Sequence, residues 1–207
     1  MNNEIFKRII SSIILIPISL FFIIKGSYFF LFFLFIIFLV TSYEWHHMSK
    51  NKPYYLFGLI FLFLSFVSAY LFRATFSLYD FLIIIIICVF TDIGGYIFGK
   101  LLKGPKLTKI SPNKTYAGMF GGYILSIISY SFFIENYTLN QIQLSDIGYV
   151  LLVSSISQLG DLAVSYFKRR SKIKNTGNLL PGHGGVLDRI DGLIFVLPII
   201  YAYNLFI

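Results

Sequence analysis

The sequence predicts an all-α integral membrane protein, a helical bundle of about seven transmembrane helices that forms a single domain over residues 1–207. Of its 207 residues 57% are hydrophobic and only 13% are charged, and the mean hydropathy is +0.79. A helix needs roughly 20 apolar residues to cross a bilayer, and runs of about that length recur along the chain. No polar segment is long enough to fold as a soluble domain.

Each predicted helix corresponds to a run of apolar residues that has polar residues at both ends. The first three runs are rich in phenylalanine and isoleucine, which is typical of scaffold helices that face lipid. Acidic side chains enter the fourth, sixth and seventh runs, and the fifth follows a loop with several lysines. In order, the predicted spans are roughly 9–24, 28–43, 54–72, 80–99, 116–134, 147–167 and 186–206.

The basic residues divide unevenly between the two sides of the predicted membrane. The chain has 17 Lys and Arg against 9 Asp and Glu, a formal net charge of +8. With these spans, all but Lys25 and Arg73 fall on one side. Because positive charge collects on the cytoplasmic side, we expect a cytoplasmic amino terminus and a carboxyl terminus outside. Topology accounts for the charge, so we expect no nucleic-acid partner.

Two aspartates lie within predicted spans near their cytoplasmic ends. Asp92 precedes Lys100 by eight residues and Asp161 precedes Lys168 by seven, which places the carboxylates roughly 12 and 10 Å inside those ends at 1.5 Å per residue. A charged side chain inside a membrane costs about 2.5–3.5 kcal/mol on insertion scales. Because such residues usually bind something charged, both are candidate site residues.

Two further aspartates, Asp188 and Asp191, open the seventh span from the same side, and their spacing of three places both on one helical face. We expect all four carboxylates at a similar level, where they need a compensating cation. Oxygen ligands without cysteine or clustered histidine favour Mg²⁺ over zinc or copper, and four carboxylates leave room for a second metal ion. The alternative is that a nearby base neutralises each aspartate, Lys168 neutralising Asp161 for example.

Two histidines, His46 and His47, are predicted to lie with Glu44 in a short loop between the second and third spans. They lack cysteine or carboxylate partners at metal spacing, so we do not assign them to a metal site. The neighbouring Trp45 suits the membrane interface.

Two cytoplasmic loops offer positive charge and exposed amides to an anion. In the first, Ser111 or Thr115 can cap the fifth helix, whose start attracts phosphate, and Lys114 lies beside them. The spacing of a Walker loop is absent. In the second, glycines surround His183, and glycine lets backbone amides approach a ligand closely. Phosphate groups are the ligands that these loops favour.

Several runs of this chain match one known pattern. They are Ser165-x-x-Lys168-Arg169, Lys174, Pro181-Gly-His183-Gly-Gly-x-x-Asp188-Arg189-x-Asp191, Thr91-Asp92-x-Gly-Gly-Tyr96-x-x-Gly99, Gly160-Asp161-Leu and Ser111-Pro-Asn-Lys114-Thr115-Tyr-Ala-Gly118. The segment from Ser165 to Asp191 resembles the signature of phosphatidate cytidylyltransferases, also called CDP-diglyceride synthases, and the other runs support the match. The resemblance covers residues 90–192, whereas the amino-terminal spans agree in hydrophobicity alone. One position departs from the pattern, because Asn175 follows the matching lysine where the family usually has aspartate.

The resemblance implies an enzyme that transfers a cytidylyl group from CTP to phosphatidic acid, giving CDP-diacylglycerol and pyrophosphate in phospholipid biosynthesis. It implies Mg²⁺ as cofactor, with CTP, phosphatidic acid and membrane lipid as partners; a homodimer is left open. The implied location is a bacterial inner membrane, with the site facing the cytoplasm. Residues 1–80 would then be scaffold helices and residues 81–207 the catalytic half.

Roles for individual residues follow from the same resemblance. The implied Mg²⁺ ligands are Asp161, Asp188 and Asp191, which also count as catalytic, with Asp92 as a further ligand or as a residue that orients the ligands. Lys168 and His183 complete the catalytic group, His183 as a pyrophosphate contact, a proton carrier or a structural turn residue. The implied substrate-binding residues are Ser111, Lys114, Thr115, Ser165, Arg169, Lys174, Gly182, Gly184, Gly185 and Arg189.

Other functions stay open. Intramembrane aspartates also mark ion paths, so a transporter is the main rival, although the chain shows no internal repeat. A CDP-alcohol phosphotransferase or a lipid kinase is a second rival, and the Asp-Gly-x-x-Ala-Arg run of the former is absent. Asn175 motivates a third, a catalytically impaired member of the family.

Overall fold

The computed structural model describes residues 2–137, 143–180, 182 and 184–206, except for the side chains of residues 2–5, 7–10, 136 and 137. Within these ranges the chain forms eight α-helices, two isolated β-bridges and no β-strand. The helices are α1 (Asn2–Lys25), α2 (Ser27–Ser49), α3 (Tyr55–Thr75), α4 (Leu78–Leu102), α5 (Tyr116–Tyr137), α6 (Leu144–Arg170), α7 (Leu187–Ile190) and α8 (Leu193–Phe206).

Five helices, α2 to α6, are long and apolar enough to cross a bilayer, which identifies the chain as an integral membrane protein. The apolar part of α1, Ser11–Lys25, and α8 are shorter. The predicted all-α membrane fold is therefore confirmed. The count of seven crossings and the orientation stay predictions.

Two local predictions differ from the structure. The seventh apolar run is divided, since α7 ends at Ile190 and α8 begins at Leu193; hydropathy averaged over a span does not register so short a break. His46 and His47 lie in the last turn of α2, which continues to Ser49. The loop predicted at these histidines is therefore wrong.

The chain forms two compact units. The first comprises Met1–Leu78 and Phe167–Ile207, and the second comprises Tyr79–Tyr166. The first unit thus combines the amino-terminal helices with the signature residues from Lys168 onward. The functional division into scaffold helices and a catalytic half stays a prediction.

In the second unit, α4 and α5 pack backbone against backbone. A β-carbon at Gly94 would lie 2.3 Å from the carbonyl oxygen of Gly121, and one at Gly118 would lie 2.7 Å from that of Gly95. Small residues permit this close approach of membrane helices. The glycines that accompany Asp92 in the sequence are therefore explained by helix packing.

In the first unit, α3 contacts both α2 and α8. The rings of Phe61 on α3 and Phe195 on α8 have centroids 4.6 Å apart. Arg73 Nε, near the end of α3, donates a hydrogen bond of 3.3 Å to the carbonyl of Ile23 and so satisfies a terminal carbonyl of α1. These contacts link α1, α2, α3 and α8, and the end of α2 contacts the signature segment.

Candidate active site

In the second unit, the loop before α5 brings Lys114 to Asp161 on α6. The Lys114 ammonium forms an ion pair with Asp161 Oδ2, and the two side chains are 26% and 28% exposed. One turn along α6, Ser165 Oγ donates to Asp161 Oδ1 at 3.3 Å. Two predicted substrate-binding residues and a predicted metal ligand are therefore in contact. Lys168, the partner considered for Asp161 from the sequence, pairs elsewhere.

The shape of this loop is fixed by its own hydrogen bonds. The N–H of Leu107 donates to the carbonyl of Lys114 at 2.8 Å. Thr115 Oγ1 accepts a hydrogen bond of 3.1 Å from the N–H of Gly118. Thr115, and not Ser111, is therefore the residue that caps α5.

Asp92, another predicted metal ligand, lies within α4. Its side chain is exposed, whereas the preceding Thr91 is buried and bonds Ser154 Oγ on α6 at 2.9 Å. An ionisable side chain within a membrane-length helix indicates function more than packing.

In the first unit, Asp188 accepts hydrogen bonds from three groups of the signature segment. Lys168 Nζ donates to Oδ1 at 2.8 Å. The N–H groups of Thr176 and Gly185 donate to Oδ2 at 2.8 and 3.0 Å. The ion pair is largely buried, with 11% of the Lys168 side chain and 8% of the Asp188 side chain exposed. Two predicted catalytic residues are thus brought together, and Asp188 also organises the backbone around them.

Leu180 and Gly184 form an isolated β-bridge. The N–H of Leu180 donates to the carbonyl of Gly184 at 2.9 Å, and the reverse bond measures 3.2 Å. Gly182 and Gly184 have φ angles of 75° and 90°, in the left-handed region that glycine adopts readily. Pro181 and His183 lie outside the described residues, so the role predicted for His183 stays a prediction.

Gly184 and Gly185 lie against two carboxylates, those of Asp188 and Glu44. A β-carbon at Gly184 would lie 2.9 Å from Asp188 Oδ2. One at Gly185 would lie 2.1 Å from Thr176 Oγ1 and 2.5 Å from Glu44 Oε2. The sequence predicted that these glycines allow a ligand to approach closely. In the structure, the groups that approach them closely are carboxylates of the protein itself.

Glu44 on α2 is the residue that the sequence analysis missed. Its side chain accepts the N–H of Val186 at Oε1 (2.8 Å) and the N–H of Leu187 at Oε2 (2.8 Å), and the Thr176 hydroxyl also donates to Oε2 (3.0 Å). The residue is 2% exposed. An acidic side chain at the end of an apolar run was a usable signal, but the assignment of this stretch to a loop concealed it.

The next residue, Trp45, fixes the end of α6 in the same unit. Its ring packs edge-on against Phe167, with centroids 5.4 Å apart. The guanidinium of Arg170 lies over the ring of Tyr54 at 5.5 Å from its centroid. The end of α2 and the start of α3 therefore anchor the last turn of α6, which carries the basic run Lys168–Arg170.

The other predicted site residues of this unit differ in burial. Asp191 is 8% exposed, and its Oδ1 accepts the N–H of the following residue at 2.9 Å. Arg169 is exposed and donates from Nη1 to the carbonyl of Ile173 at 3.1 Å. Lys174 and Arg189 are exposed as well. The rest of the protein does not enclose these three cations.

The chemistry of the donors fits Mg²⁺. In the described ranges, no group of three or more His, Cys, Asp or Glu side chains forms a ready-made metal site. However, Mg²⁺ typically takes one or two carboxylates and completes its coordination with substrate phosphates and water. Asp161 and Asp188 each form an ion pair with a lysine ammonium group, so in each residue a carboxylate oxygen already faces a cation. The donor set therefore suits the cofactor that the resemblance implies.

Comparison with known proteins agrees with the signature. The sequence profile described as the cytidylyltransferase family matches residues 53–207, which include all the predicted site residues. The phosphatidate cytidylyltransferase of Rickettsia bellii (strain RML369-C) is 36% identical over 98% of this chain and 92% of its own length. That of Rickettsia felis (strain ATCC VR-1525 / URRWXCal2) is 34% identical, covering 99% and 94%. That of Staphylococcus aureus (strain COL) is 44% identical over 127 residues, 59% of this chain and 46% of the relative. A profile match over most of the sequence, with relatives that align along nearly all of it, shows that the chain belongs to the cytidylyltransferase family.

Proposed function

We propose that the protein is a phosphatidate cytidylyltransferase, which transfers CMP from CTP to phosphatidic acid in phospholipid biosynthesis. The products are CDP-diacylglycerol and pyrophosphate. The observation that carries the proposal is the buried pair of Lys168 and Asp188, around which the signature segment folds. Relatives with this name, aligned over nearly the whole chain, support it.

The reaction is a displacement at phosphorus. A phosphate oxygen of phosphatidic acid bonds to the α-phosphorus of CTP, while the bond from that phosphorus to the bridging oxygen breaks and its electrons leave with pyrophosphate. Phosphatidic acid is already an anion at neutral pH, so no side chain has to deprotonate it. The main obstacle is repulsion between two anions, and the catalysis required is positioning and charge neutralisation.

Two lysines are suited to that task. Lys168 and Lys114 are each held in place by a carboxylate, Asp188 and Asp161 respectively. Fixed ammonium groups stabilise developing phosphate charge without having to reorganise during the reaction. The exposed cations Arg169, Lys174 and Arg189 would attract CTP and contact its phosphates.

Mg²⁺, when bound, would neutralise charge on the triphosphate and polarise its phosphorus–oxygen bonds. Its proposed ligands are the aspartates of the family pattern. His183 completes the proposed catalytic residues. The proposed substrate-binding set is completed by Ser111, Thr115, Ser165, Gly182, Gly184 and Gly185. The proposed metal ligands are Asp92, Asp161, Asp188 and Asp191.

The proposal includes a location. CTP is a cytoplasmic metabolite and phosphatidic acid a bilayer lipid, so the reaction suits the cytoplasmic face of a bacterial inner membrane. The concentration of basic residues on one predicted side, with only Lys25 and Arg73 on the other, supports seven crossings with a cytoplasmic amino terminus. A homodimer remains part of the proposal.

Incorporation of label from radiolabelled CTP into extracted lipid tests the function directly. Purified protein in detergent should form CDP-diacylglycerol only when phosphatidic acid and Mg²⁺ are both supplied. Ion flux in proteoliposomes without incorporation would favour the transporter instead. If turnover is nearly absent and Asn175→Asp raises it strongly, the chain is the catalytically impaired member considered above.

A further inference from the structure

We infer that Glu44 is a positioning residue for this reaction, which holds the two ends of the loop between Thr176 and Leu187 and thereby fixes the place of Asp188. The inference rests on the proposed function and extends it to a residue outside the signature. It gives the amino-terminal helices a part in binding CTP.

Packing alone does not account for Glu44. The carboxylate is buried, and within the described residues no lysine or arginine forms an ion pair with it. Burying a carboxylate at the end of an apolar helix is costly compared with burying an apolar side chain. Its three hydrogen bonds all come from one loop, from the N–H groups of Val186 and Leu187 and the Thr176 hydroxyl.

The carboxylates of Glu44 and Asp188 hold the same short loop. Thr176 donates its hydroxyl to Glu44 and its N–H to Asp188. Gly185 donates its N–H to Asp188, and the next residue, Val186, donates to Glu44. A displacement of the loop at Glu44 must therefore move donors to Asp188 as well.

The Glu44→Gln variant removes this hold with little change in shape. An ionised carboxylate only accepts hydrogen bonds, whereas an amide nitrogen only donates them. In either orientation of the glutamine, its NH₂ group faces a backbone N–H that has lost its acceptor. The matched control is Glu135→Gln, the same chemical change at an exposed position on α5.

Steady-state kinetics separate positioning from general stability. Because the loop is a proposed triphosphate contact, we expect the KM for CTP of Glu44→Gln to rise roughly tenfold. The KM for phosphatidic acid should stay within about twofold of wild type. A merely structural role would lower the active fraction, and thus kcat, without changing the KM for CTP. Glu135→Gln should match wild type throughout.

Amide hydrogen exchange gives a readout that does not need catalysis. In Glu44→Gln, exchange at Val186 and Leu187 should accelerate at least roughly tenfold, while α3 and α8 exchange at wild-type rates. Should Glu44→Gln fail to fold, Thr176→Val removes one donor of the three and should raise the KM for CTP by about threefold.

The outcomes distinguish the two claims. A wild-type protein that makes no CDP-diacylglycerol refutes the proposed function, and exchange then still decides whether Glu44 holds the loop. An active wild type, together with a Glu44→Gln variant of unchanged KM for CTP, overturns the inference. So does a fall in kcat alone, or unchanged exchange at Val186 and Leu187.

Discussion

Replacing Asp188 with asparagine tests the ion pair within the signature segment. Asparagine keeps an oxygen that can accept the N–H groups of Thr176 and Gly185, but it turns an NH₂ group towards the Lys168 ammonium. Lys168, whose side chain is only 11% exposed, then loses its opposite charge. Breaking a buried pair from one side costs about 3–5 kcal/mol. We expect the free energy of unfolding to fall by roughly that amount.

A double-mutant cycle with Lys168→Met measures the coupling. The double variant leaves no charge unpaired, so it should lose less than the sum of the two single variants, by about 0.5–3 kcal/mol. Unfolding by SDS in mixed micelles can be followed through the fluorescence of Trp45, the single tryptophan, which packs near the pair against Phe167. Formation of CDP-diacylglycerol should fall at least roughly 100-fold in all three variants.

The matched control for this cycle removes a lysine that has no part in the pair. Lys52→Met, at an exposed position of the same unit, should change the free energy of unfolding by no more than about 0.5 kcal/mol. If Asp188→Asn costs less than about 1 kcal/mol, or if the two single effects simply add, Lys168 and Asp188 act independently. The ion pair would then not organise the loop.

Three further substitutions test other features of the two units. Gly185→Ala places a β-carbon 2.5 Å from Glu44 Oε2, and this steric clash should lower the free energy of unfolding by about 1–3 kcal/mol. The control is Gly148→Ala, where nothing lies within 4 Å of the added carbon, and it should not lower the free energy of unfolding. Equal effects of the two variants would contradict a clash at Gly185. Thr115→Ala removes the cap of α5 and should cost about 0.5–2 kcal/mol in thermal unfolding, so an unchanged midpoint would show that the cap is dispensable. Asp161→Asn breaks a partly exposed ion pair and should lower the free energy of unfolding by less than about 1 kcal/mol. Turnover should nevertheless fall at least roughly tenfold. If turnover stays at the wild-type rate, Asp161 is not part of the active site.

The membrane fold was predictable because length and hydropathy determine it. Runs of about 20 apolar residues give helices in water-free surroundings regardless of their detailed order. The break after α7 was not predictable in the same way, since Asp191 and Gly192 interrupt the apolar pattern for only two positions. Averaging over a span conceals an interruption of that length.

The site was predictable only in part. The signature marked Lys168 and Asp188 as site residues. Their pairing was not predictable, because the two residues are 20 positions apart and meet only through the folding of the chain between them. Glu44 contacts Thr176 across 132 positions, and no local pattern encodes such a contact. The reason for Gly185 also became visible only with the structure, because the atoms that a β-carbon there would meet belong to Thr176 and Glu44.

Binding of Mn²⁺, as a substitute for Mg²⁺, tests the proposed role of the aspartates most directly. Free Mn²⁺ can be measured by electron paramagnetic resonance in the presence of protein and CTP, for wild type, Asp161→Asn and Asp191→Asn. We predict that CTP-dependent Mn²⁺ binding weakens at least roughly tenfold in each variant. Wild-type affinity for Mn²⁺ and CTP in both variants would contradict a cation-bound triphosphate held by these carboxylates.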